Sequence, residues 1–162
     1  MNNMASSDNV RGRHSIAEAL VGQLIGKRYA VCELIAQGRQ SIIYKAEDKQ
    51  LRREVALKVI LADKSAMTEL DEDRILHFKR EGKGLAQMKH PNIVAVFDTG
   101  VEIEILPNCD LYYIAMVLME GETLRERLQR LEDSRERMDW SEVLGIVQNV
   151  ASALDYAHKH PL

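Results

Sequence analysis

The sequence predicts an α+β fold. Three strand-like segments come first, then a helix, then two more strands, and from about Gly121 onward only helical periodicity remains. At 162 residues the chain fits one domain large enough to bury a real core.

Residues 1–27 begin with the polar run "MNNMASSDNVRGRHS" and continue as "IAEALVGQLIG", which Glu18 and Gln23 interrupt. A signal peptide has an unbroken apolar stretch and a small-residue cleavage site, so a flexible tail with a short amphipathic turn is expected instead. "RYAVCELIAQG" and "SIIYKAED" flank a glycine-centred turn and read as a hairpin, and "REVALKVIL" follows as a third strand. Residues 69–89 are helical by period and end at "HPN", where Pro91 biases His90 away from helical geometry. "IVAVFDTG" and "LYYIAMVLM" supply two more strands, giving five in all. Residues 122–137 and 140–160 read as helices.

The composition is 46% hydrophobic and 29% charged, with a formal net charge of −3. An acidic balance argues against nucleic acid as the main partner. No run approaches the roughly 18 apolar residues of a membrane span; the expectation of a cytoplasmic protein rests on cysteine usage, two thiols that fit a reducing cytosol. Cys32 and Cys109 are too few and too far apart for a disulfide framework or a zinc spacing, which leaves free thiols. His158 and His160 have no third ligand nearby, so no metal site is expected there. In "RERLQRLEDSRER" five arginines are nearly matched by four acidic residues, the pattern of a solvated helix face.

Two charges stand out against this background. In "EVALKVIL" six of eight residues are apolar, yet Lys58 sits among them; a lysine ammonium is poorly tolerated in a dry interior without a partner. On the helix over 69–89, Ile75, Phe78, Leu85 and Met88 fall within an arc of roughly 140° at about 100° per residue, and Glu81 falls inside the same arc. Facing one another, the two would satisfy each other; alternatively each head snorkels to water separately. The hairpin "LIAQGRQSIIYKA" carries Gly38 flanked by the small residues Ala36 and Ser41, which would let backbone amides approach an anion.

A glycine hairpin, a lysine strand and a helix with an inward glutamate, in that order, resemble the N-terminal lobe of a Ser/Thr protein kinase of the bacterial, eukaryotic-like (Hanks) type. The residues that carry the resemblance are "IAQGRQSIIYKA", "VALK", "FKREG", "HPNIVAVFDTG", "YYIAMVLMEGETL" and "SALDYAHKHPL", covering residues 24–162. The resemblance implies a protein-kinase-like N-lobe: a five-stranded antiparallel sheet with one packed helix over residues 28–119. Residues 120–162 would start a C-lobe with two helices. It implies ATP as ligand, with Lys58 holding the α- and β-phosphates and Glu81 orienting Lys58. Ile35, Ala36, Gly38, Ser41 and Ile43 would form the covering loop and its flanks. Ile35, Ile43 and Ala56 would pack on adenine with Met116 behind them, and Val117 and Met119 would offer backbone hydrogen bonds to the adenine edge.

The chain departs from the family pattern in places. Ala36 stands where glycine is usual, which would cost about 1 kcal/mol if that position needed positive φ. Arg39 and Gln40 occupy a tip that is often glycine, and Val117 stands where an acidic residue is usual. Gly82 and Gly84 lie inside the helix that carries Glu81, each at about 1 kcal/mol relative to alanine. The His-Arg-Asp and Asp-Phe-Gly segments, which supply base and magnesium ligands, do not occur in these 162 residues. The expectation is therefore the ATP-binding portion of a kinase, truncated and unable to transfer phosphate alone, with magnesium bound only once a C-lobe is supplied. A non-catalytic nucleotide- or partner-binding module and one half of a split kinase are the alternatives.

The last helix carries a further expectation. Asp139 can cap it, with Glu142 three residues on as a capping box. Trp140, Val143, Ile146, Val147, Val150, Leu154 and Ala157 share one arc of roughly 140°, a stripe that calls for a protein partner or a second copy.

Overall fold

A computed structural model describes residues 17–38 and 41–160. The expected tail before residue 17 and the loop-tip residues Arg39 and Gln40 lie outside the described residues. The sheet is antiparallel throughout, with strands β1 (Leu24–Ile25), β2 (Tyr29–Gln37), β3 (Ile42–Asp48), β4 (Arg53–Asp63), β5 (Val96–Leu106) and β6 (Cys109–Met116) in the order β1-β2-β3-β4-β6-β5. Six strands stand where five were expected. The addition is the two-residue β1, in which Leu24 and Ile25 pair with Ala30 and Tyr29. It is too short to carry an alternating pattern, so periodicity could not reveal it. The segment around it, expected as a short amphipathic turn after a flexible tail, seats its apolar residues in the core: Ala17, Leu20 and Ile25 are buried.

Alternation along β4 divides the molecule into two apolar layers. Val55, Leu57 and Val59 face the rear, in a cluster with Tyr29, Tyr44, Leu111 and Tyr113. Ile60 and Ala62 face the other way and pack with Ile75 and Phe78 of helix α1 (Glu69–Gln87) and with Ile114. Thr68 opens α1 with a capping box: its hydroxyl accepts from the Asp71 amide, and the Asp71 carboxylate accepts from the Thr68 amide. Gly82 explains itself by proximity, since a Cβ there would stand 2.9 Å from Thr99 Cγ2 and 3.1 Å from Ile114 Cδ1. The helix tolerates the residue because the sheet lies against it at that point.

Helices α2 (Leu124–Asp133) and α3 (Trp140–Lys159) follow the sheet. Asp139 caps α3 by accepting from the Ser141 amide. Glu142 does not close the expected capping box; its two oxygens accept from Nε and Nη2 of Arg127 at 2.6 and 2.9 Å, tying α3 to α2. The loop after α1 joins α3 through polar contacts. The Lys89 amide donates to the Tyr156 hydroxyl, His90 Nε2 lies 3.0 Å from Ser152 Oγ, and Asn92 Nδ2 donates to the Asn149 carbonyl. No residue of α3 is buried; Trp140 is 72% exposed, and Val147, Val150 and Leu154 also face solvent. Of the stripe read from periodicity these four residues are exposed, while Val143, Ile146 and Ala157 are half-buried.

Candidate nucleotide site

Lys58 reaches its position through register. Ile43 pairs with Lys58 and Lys58 pairs with Ile114, while Ala56 pairs with Met116. Directly opposed residues share a face of a sheet, so Ile43, Ala56, Lys58, Ile114 and Met116 lie on the face that α1 partly covers. Helix α1 brings Glu81 to the same place: Lys58 Nζ donates to Glu81 Oε1 at 2.6 Å. The snorkelling alternative is excluded by that contact. Lys58 is 21% exposed and Glu81 43%, so the pair stands at the lip of the core and not within it. The ammonium also lies 5.8 Å from the Phe78 ring centroid, over its face.

One carboxylate oxygen occupies one of the three ammonium hydrogens, and the other two remain for an anion. The space beside the pair is a cavity of about 270 Å³ that runs along α1: Leu70, Asp73, Arg74 and His77 line it together with Ser41, Lys58, Ile60, Phe78 and Glu81, and the predicted adenine residues Ile43, Ala56 and Met116 do not. Ser41 thus lines the same space as Lys58 and Glu81. At the hairpin, the Gly38 amide donates to the Ser41 carbonyl at 2.9 Å, which closes the turn across its tip. Ala36 is an ordinary strand residue paired with Ile43, and it has no positive φ. The strain considered for a glycine-replacing alanine therefore does not arise.

The apolar residues are distributed unequally. Ala56 is buried, Ile43 and Met116 are half-buried, and Ile35 and Met119 are largely exposed. Val117 donates its amide to the Ala95 carbonyl at 3.0 Å, so only its carbonyl is left for a ligand.

Behind this face lies a charged cluster that periodicity did not reveal. Asp48 is fully buried and accepts from Arg28 Nε at 2.8 Å and Nη2 at 2.7 Å. It also accepts from the amides of Gln50 and Leu51 in the β3–β4 turn. Together these donors hold the Asp48 carboxyl down to about 2, with the guanidinium as the largest cause. The Tyr29 hydroxyl donates to Asp98 Oδ2 at 2.9 Å, and burial followed by this bond raises the phenol well above its usual range. An aspartate before a turn was the only signal available in sequence. Its partner lies 20 residues away and follows no local period.

The amino-acid sequence matches the protein kinase domain over residues 29–162. The chain belongs to the protein kinase family. Among bacterial kinases, it is 34% identical over 143 residues to serine/threonine-protein kinase PrkC of Bacillus subtilis, covering 88% of this chain and 20% of that protein. It is 36% identical over 138 residues to serine/threonine-protein kinase PknB of Mycolicibacterium smegmatis, covering 85% of this chain and 20% of that protein. A probable serine/threonine-protein kinase of Clostridium perfringens is 31% identical over 140 residues, covering 86% and 18%. The chain thus spans about a fifth of the length of the curated relatives it matches. The kinase-like α+β architecture agrees with the expectation from sequence, apart from the added strand. Among the described residues, no helix is long and apolar enough to cross a membrane.

Proposed function

We propose that this chain carries the ATP-holding part of a Ser/Thr protein kinase. The observation that carries the reading is the 2.6 Å bond between Lys58 and Glu81, on the sheet face shared with Ile43, Ala56 and Met116. A fixed ammonium with two free hydrogens suits the α- and β-phosphates of ATP, and Glu81 keeps that ammonium from folding back along its own stem. Gly38 and Ser41 form the flank nearest the phosphates. Ile35, Ala36, Ile43 and Ala56 offer the apolar surface for adenine, and Met116 limits its depth. The Val117 carbonyl and the Met119 amide meet the edge of the base. Such a site works where ATP is held, in the cytoplasm.

Among the described residues, no group of three or more His, Cys, Asp or Glu side chains could hold a metal ion. In the family the magnesium ligands belong to the Asp-Phe-Gly and catalytic-loop segments, which do not occur in these 162 residues, so magnesium would take its protein ligands from a supplied C-lobe. Phosphoryl transfer rests on metal-assisted charge stabilisation and a positioned base, so these residues orient ATP and do not transfer its phosphate by themselves. Incubation with ATP, magnesium and a protein substrate is expected to yield no phosphoprotein; turnover by the pure 162-residue chain would overturn this. The exposed face of α3 favours a second reading beside the first, a partner-binding module in which a protein surface, a second copy included, covers Trp140, Val147, Val150 and Leu154.

The deciding experiment is ATP binding by the chain and by Lys58→Met, measured calorimetrically. Loss of charge-assisted bonds to phosphate is expected to weaken binding about tenfold or more. Equal affinity in the two proteins would remove Lys58 from the phosphate site.

A further inference from the structure

Three of the most deeply buried side chains of the rear core lie upstream of the matched domain. Ala17, Leu20 and Ile25 expose at most 1% of their surface, yet the family match starts at residue 29. They belong to one apolar cluster with Tyr44, Leu57, Leu111 and Tyr113. Directional bonds fix the segment as firmly as its packing does. The Tyr44 hydroxyl donates to the Ala17 carbonyl at 2.8 Å within the core. The Gly22 amide donates to the Val31 carbonyl, and the Val31 amide donates to the Gln23 carbonyl, both at 2.9 Å. Burial of the Tyr44 phenol, which pushes it up to about 12, agrees with a hydroxyl sealed from water.

The position of this segment relative to the candidate site gives it a consequence. Tyr44 pairs with Leu57, and the next pair along the same two strands is Ile43 with Lys58. Successive side chains point to opposite faces. The segment therefore presses on the rear of β3 and β4 where their front carries Ile43 and Lys58. Close-packed interiors pass displacement from one face to the other.

We propose that residues 17–25 are a strap that belongs to the folding unit of this chain and braces, from behind, the strand pair that holds Lys58. Seating of the strap and firmness of the Lys58 face are then coupled. In its nucleotide part this rests on the ATP reading above. The coupling is reciprocal: a loosened strap weakens nucleotide binding, and bound nucleotide tightens the strap. A protein that captured residues 17–25 would act on the site without touching it.

The test uses the 162-residue chain with Leu20→Ala and, separately, Tyr44→Phe, followed by hydrogen exchange and ATP titration. Leu20→Ala is expected to lower Tm by about 5–10 °C. Amide protection in β3 and β4 around Ile43 and Lys58 is expected to fall about tenfold, while α2 is unchanged. Each variant should weaken ATP binding by the same factor by which it lowers the nucleotide's protection of the Gly22 and Val31 amides. Loss of protection confined to residues 17–31, with β3 and β4 unaffected, would overturn the bracing. So would a Leu20→Ala protein within about 2 °C of the parent. If Leu20→Ala does not fold, the strap is integral, and Tyr44→Phe, which removes one hydroxyl, decides the coupling. If the parent chain binds no ATP, the nucleotide reading fails, while exchange in β3 and β4 still decides the brace.

Discussion

Asp48→Ala is expected to be the most damaging single charge deletion in the sheet. The carboxylate is fully buried and accepts four hydrogen bonds, two from the Arg28 guanidinium and two from the turn amides of Gln50 and Leu51. Breaking a buried ion pair from one side costs about 3–5 kcal/mol, because the remaining charge is left without its counterion. Arg28 is 21% exposed and keeps Asp98 Oδ2 at 3.5 Å, so it can be partly resolvated. The lower end, about 3 kcal/mol, is therefore expected. The same contacts lower the carboxyl's pKa, which has its own consequence for stability. Lowering of the carboxyl from 3.8 to about 2 in the folded protein corresponds to about 2 kcal/mol for neutralising the group alone.

The pH dependence has a definite sign. A depressed carboxyl contributes stability above the unfolded value of 3.8, and that contribution disappears as pH falls from about 4 towards 2. Urea unfolding at pH 7 and pH 3, with a thermal melt, measures both effects. Asp48→Ala should lower Tm at neutral pH by about 6–12 °C for a chain of this size and remove part of the acid sensitivity. A variant within about 0.5 kcal/mol of the parent, the usual range for surface substitutions, would show that the cluster behaves as solvated surface charge and would refute the argument.

Two further outcomes follow from packing. Gly100→Ala places a methyl group against the ring of Tyr113, a buried side chain that also packs edge-on against Tyr29; a loss of about 2 kcal/mol is expected in urea titration. Val147→Lys, on the uncovered face of α3, should leave the Tm of this chain within about 2 °C, and a larger drop would mean that the face is already covered.

Local patterns determined much of this protein. Apolar, β-rich runs set off by turn residues marked the five longer strands, period 3.6 marked the three helices, and Pro91 bounded the first of them. Lys58 and Glu81 were legible because each breaks an apolar pattern that surrounds it, and the family resemblance linked them. The capping of α3 was legible at Asp139 but not at Glu142, since Arg127, 15 residues earlier, competes for the same carboxylate. Tertiary structure alone decided the rest. Whether Lys58 and Glu81 meet or part depends on how α1 lies on the sheet, a distance of 23 residues along the chain that no periodicity encodes. The Arg28–Asp48 pair, the sixth strand and the burial of Ala17 and Leu20 are likewise products of chain segments brought together by packing. A short polar or apolar stretch has no period of its own, so its partner appears only when the chain has closed around it.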